Sequence, residues 1–150
     1  MRILIQTKGR FPVGIWLVLF AKILILLAWL MQAYSLLDWE GAIKLGLQND
    51  SFLGDAVEQT LASVERSVAI ADMIWALPIS LVAFLGLWQK AFYGFIATMM
   101  EFAICVYFPL VFAFQRWYTV PETVVTALIL WAIPSFFGIF CLWVNRDFFQ

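Results

Sequence analysis

The chain has 150 residues, 65% of them hydrophobic, 18% aromatic and only 13% charged, with a formal net charge of −1. A soluble domain of this size carries about 25% charged residues and buries only about two-thirds of its unfolded surface, so lipid has to solvate much of this chain. With nine basic residues against ten acidic, there is no basic tract to follow a phosphate backbone, which excludes nucleic acid as a partner.

A helix crosses the hydrocarbon layer with about 20 apolar residues. Four stretches meet that length: residues 11–31, 68–88, 92–114 and 124–144. The expected fold is an all-α integral membrane protein, a single domain over residues 1–150 with four transmembrane helices in a bundle and an outer loop at 32–67. The first stretch follows Arg2, Lys8 and Arg10, as a secretory signal would. It is too long for one, contains Lys22 in the middle of LVLFAKILILLAWL, and has no small-residue cleavage site near 31–33, so it reads as a retained span.

The loop at 32–67 is acidic, with Asp38, Glu40, Asp50, Asp55, Glu58 and Glu65 against two basic residues. Within and just beyond it Leu53, Val57, Leu61, Val64 and Val68 recur at helical spacing, and Asn49-Asp50-Ser51 offers capping oxygens. The pattern predicts an extracytoplasmic amphipathic helix that runs into the second span.

Span two carries Asp72 about 6 Å below its outer end, counted at about 1.5 Å per residue. That depth suits an interfacial carboxylate, or the outer member of a polar path from deeper charges. Pro78 has no amide to offer the carbonyl of Ile74, which predicts a kink. Pro109 and Pro134 should disturb spans three and four in the same way.

Span three places Gly94, Ala97, Thr98, Glu101 and Cys105 on one side, a small-residue strip that allows close helix approach. Phe92, Phe95, Phe102 and Phe112 are then left for lipid. Span four offers a matching small face in Ser135, Gly138 and Cys141. Trp39, Trp88, Trp117 and Trp143 fall near span ends, where indole rings anchor at the interface. Trp29, Trp75 and Trp131 fall further in and are candidates for packing or for lining a ligand cavity.

Spans two and four share a pattern. Trp75-Ala76-Leu77-Pro78 ends at Trp88, and Trp131-Ala132-Ile133-Pro134 ends at Trp143, with tryptophan spacings of thirteen and twelve. Both spans run in the same sense, which suggests two related helical hairpins, spans 1–2 and spans 3–4. Basic residues favour an inside N-terminus: Arg2, Lys8, Arg10, Lys90 and Arg146 lie on that side, against Lys44, Arg66 and Arg116 on the other. Both termini are expected in the cytoplasm, in a plasma membrane or a bacterial inner membrane.

Depth links the two central charges. Lys22 lies 11 residues past Phe11 and Glu101 lies 9 past Phe92, which puts both about 14–17 Å deep, near the centre of a core about 30 Å thick. An unpaired charge there costs about 2.5–3.5 kcal/mol on insertion scales, and a pair removes most of the penalty. Lys22 and Glu101, with Asp72, are therefore the candidate ligand- or proton-binding residues.

No catalytic or cofactor signature is present. The chain has no histidine, which removes imidazole-based triads and histidine metal ligands, and it has no phosphate-cradling glycine loop. Cys105 and Cys141 fall at depths of about 20 Å and 5 Å, too far apart for a disulfide. No metal site or cofactor is expected. Two functions stay open. One is a transport or small-ligand-binding bundle centred on the Lys/Glu pair, taking a small molecule or ion. The other is a non-catalytic accessory or structural membrane subunit whose partner is another copy or another membrane protein.

Overall fold

A computed structural model describes residues 2–47 and 54–149. The elements in chain order are α1 (Arg2–Ile5), β1 (Thr7–Lys8), β2 (Phe11–Pro12), α2 (Val13–Leu37), α3 (Trp39–Lys44), α4 (Ala56–Trp88), α5 (Phe92–Arg116) and α6 (Pro121–Ala127). A π-helical turn (Leu128–Ala132), α7 (Ile133–Val144) and a 3₁₀ turn (Arg146–Phe149) complete the chain. Among the described residues, four helical segments are long and apolar enough to cross a membrane: Val13–Leu37, Gln59–Trp88, Phe92–Arg116 and Pro121–Val144. They match the four expected stretches, each longer than anticipated and the second most of all. The residues form two compact units, Met1–Ile25 with Ile79–Gln150, and Leu26–Pro78.

In the larger unit, α2 buries Ile15, Val18, Leu19, Lys22 and Ile25 and exposes Leu17, Phe20, Ile23 and Leu24. Both faces are apolar, so the one polar member, Lys22, marks the inner stripe. α5 buries the expected strip of Gly94, Ala97, Thr98, Glu101 and Cys105. Gly86 and Gly94 bring α4 and α5 into backbone contact, because a Cβ on either residue would overlap the main chain of the other. α5 also packs against α7 and the π-helical turn.

Two of the phenylalanines assigned to lipid lie inside instead. Phe95 and Phe102 are buried, being three or four residues from Thr98 and so on the same helical stripe. Phe102 lies against Gly138 of α7, where any side chain would collide with its ring. Phe95 stacks on Phe92 at 5.9 Å and meets Phe149 at 5.8 Å. Phe92 is exposed as expected.

The prolines differ from one another. α4 and α5 continue through Pro78 and Pro109 without interruption. Only the span containing Pro134 leaves α geometry, in the π-helical turn that precedes it, where the amide of Ile133 bonds to the carbonyl of Leu128. Shifting the ladder by one residue accommodates a ring that would otherwise press on the preceding turn. The two Trp-Ala-x-Pro segments thus have different local hydrogen bonding.

Residues 2–12, which the sequence marks only as a basic flank, form a short helix and an antiparallel hairpin with Lys8 opposite Phe11. Gly9 has φ of +67° at the first loop position, the pattern of a type II′ turn. Phe11 is fully buried among Trp16, Trp88 and Phe148, with ring centroids 5.3–6.0 Å away.

In the smaller unit, Asp38 caps α3 by accepting from the amide of Gly41 at 2.9 Å and also accepts from the Tyr34 hydroxyl at 3.2 Å. Gly46, at φ +69°, ends α3 with amides of Gly46 and Leu47 bonded back to Ile43 and Ala42. The amphipathic stretch runs without a break into the second span as α4. The Asn49-Asp50-Ser51 cap, Leu53 and the Glu58 side chain lie outside the described residues. The helix begins after Asp55, whose carboxylate accepts from the amide of Val57 at 3.0 Å. Val57 and Val64 are exposed, whereas Ala62 is buried.

Gly94→Ala should separate α4 from α5 and lower stability by about 1–3 kcal/mol, measured as thermal unfolding of the full chain in detergent.

Candidate functional site: a buried lysine–glutamate pair

The larger unit brings Lys22, Ser80 and Glu101 together. Lys22 comes from α2, Ser80 from α4 and Glu101 from α5. The Lys22 ammonium is ion-paired with Glu101 Oε2. It also donates to the Ser80 carbonyl at 3.1 Å and to Ser80 Oγ at 3.2 Å. A lysine ammonium has three protons to donate, and each here has an acceptor. Lys22, Ser80 and Glu101 are each 0% exposed.

Around the pair, Thr98 is buried with its hydroxyl donating to the Gly94 carbonyl at 2.7 Å. Glu101 Oε1 is buried with no hydrogen-bond partner among the described residues, and so is Ser135 Oγ of α7. The cluster is thus saturated on its cationic side and open on one carboxylate oxygen. In a low-dielectric interior such a pair holds only with good geometry and added hydrogen bonds, because taking each ion out of water costs several kcal/mol. The Ser80 contacts supply those added bonds.

Ser80 is not among the candidates the sequence suggests. It is the only hydroxyl in LPISLVAFLG, residues 77–86, and that isolation is its one available signal. Arg116, expected at the outer end of span three, is buried and is the largest fully buried side chain. Asn145 is buried beside Gly14 and donates to the Cys141 carbonyl at 2.8 Å. Cys105 and Cys141 are both buried and are not joined in a disulfide.

In the smaller unit, half-buried Asp72 accepts from Gln32 Nε2 at 3.5 Å, a long contact. Gln32 is not distinguished by the sequence either. Trp29 is buried and Trp75 is exposed at 61%, so Trp75 is not enclosed as a cavity wall would be. Trp131, in the larger unit, is half-buried.

No protein-family model, curated protein or solved structure matches this chain. Its class rests on its own helices, four of them long and apolar enough to span a membrane.

Ser80→Ala should cost about 1 kcal/mol, because the ammonium loses the hydroxyl but keeps the backbone carbonyl. Thermal unfolding of the variant beside the parent checks this.

Proposed function

We propose that this chain is a small polytopic membrane protein whose four spans form a bundle fixed by the Lys22–Glu101 pair. Its role is that of a non-catalytic structural or accessory subunit in a homo- or hetero-oligomer, with both termini in the cytoplasm. The observation that carries this reading is the full use of the Lys22 ammonium by Ser80 and Glu101 inside a sealed site. A cation with no proton left to donate and no exposed surface is a poor receptor for a ligand. It is an effective register pin, because a charge in hydrocarbon has one acceptable position and every slipped packing strands it. The outward faces, with Phe20, Tyr107, Ile133 and Phe136 each more than 60% exposed, suit lipid or a neighbouring membrane helix.

A second reading has its own support. Glu101 Oε1 is buried with no partner among the described residues, and a carboxylate oxygen in that condition attracts a proton, a water or a small cation. In that reading the bundle binds or carries a small molecule or ion, with Asp72 on its route.

Three variants separate the two. Lys22→Met and Glu101→Met should each lose about 3–5 kcal/mol, and the double variant should return to within about 1–2 kcal/mol of the parent, measured by thermal unfolding in detergent. Recovery together with unchanged association with a membrane partner supports the structural role. A small molecule or ion that co-purifies with the parent and is lost from a folded double variant overturns it in favour of the ligand-binding bundle.

A further inference from the structure

We propose that the hairpin end of the larger unit is a binding site for the phosphate of an anionic phospholipid headgroup, held by Arg10 and Lys90. This goes beyond the proposed structural role and does not depend on it.

Lys90 carries the first observation. It has φ of +61° and is the one non-glycine residue with positive φ among those described. The amide of Lys90 bonds to the Leu87 carbonyl and that of Ala91 to the Gly86 carbonyl, at 3.0 and 2.9 Å. This is the Schellman ending of α4, and Lys90 occupies the left-handed place that glycine fills at least cost. A lysine there is backbone strain held in place by its surroundings, which is a pointer to function. Its ammonium stands over Phe11 at 5.6 Å and over Phe148 at 5.0 Å. Among the described residues no carbonyl or carboxylate receives its protons.

Arg10 carries the second. The hairpin turn at Gly9 presents its guanidinium over the same Phe11 ring, at 5.4 Å, and over Trp88 at 5.0 Å. Its Nη2 donates to the Trp88 carbonyl at 2.7 Å, which caps the negative end of α4 and leaves the other N–H groups of the fork without an acceptor among the described residues. Both cations thus lie against the Phe11 ring, Arg10 also against Trp88 and Lys90 also against Phe148, and neither has a carboxylate partner among the described residues. Asp147 is 3.6 Å from Arg146.

The surroundings select a lipid over a free anion. Trp16, Trp88, Phe92 and Trp143 are 41–59% exposed at this end, the amphipathic rings of a headgroup belt. An anionic headgroup brings a phosphate to the two cations and glycerol and acyl carbons to those rings. Each basic group near a membrane surface is worth about a fivefold preference for anionic lipid.

The full chain in nanodiscs of equimolar phosphatidylglycerol and phosphatidylcholine, read by native mass spectrometry, tests the assignment. The parent should retain phosphatidylglycerol over phosphatidylcholine by about tenfold or more, and Arg10→Gln and Lys90→Gly should each cut that ratio by about fivefold. Lys90→Gly should at the same time raise the unfolding midpoint in pure phosphatidylcholine, since glycine relieves the backbone; it decides the matter alone if Arg10→Gln fails to fold. Lys90→Arg should keep the preference. Equal retention of the two lipids by the parent, or an unchanged ratio in Lys90→Gly, overturns the proposal. Displacement of the lipid by millimolar inorganic phosphate overturns it in favour of a free-anion site.

Discussion

A lysine in hydrocarbon has three protons to place, and the larger unit is arranged around placing them. Lys22 receives two acceptors from Ser80 and one from Glu101, so three helices are bound to one atom. Apolar side chains alone define no such point, because in lipid a leucine gains little by facing another leucine over facing an acyl chain. The polar cluster specifies which faces of α2, α4 and α5 turn inward. The glycine contact between Gly86 and Gly94 then lets α4 and α5 approach to backbone distance. Specificity comes from the charges, and closeness from the missing side chains.

The same division separates what is legible in the sequence from what is not. Counting residues along two helices is enough to align Lys22 with Glu101, since rise per residue is fixed by backbone geometry. The small-residue strip of α5 is legible for a similar reason: spacing alone puts Gly94, Thr98, Glu101 and Cys105 on one side. Phe95 and Phe102 are not, because a phenylalanine is as suited to lipid as to a core, and the glycine that makes room for Phe102 lies on another helix. Ser80 escapes notice because a lone hydroxyl in a membrane helix usually satisfies itself on its own backbone. The hairpin at residues 7–12 is hidden by its brevity, having four strand residues and one glycine to announce it.

The two ends of the pair's chemistry are unequal. The ammonium is fully occupied, whereas Glu101 keeps one oxygen without a partner among the described residues. A pin needs only the first condition. The second oxygen is a cost that a purely apolar replacement of both residues would not carry. In the proposed structural role, the pair favours uniqueness of packing over maximal stability.

The π-helical turn at Leu128–Ala132 has a consequence for phase. It accommodates an extra residue without ending the span, so α7 is rotated by about 100° from where an uninterrupted α-helix would place it. Gly138, on that rotated segment, lies against Phe102. The last span is therefore two helical surfaces joined at an offset, both of them packed against α5.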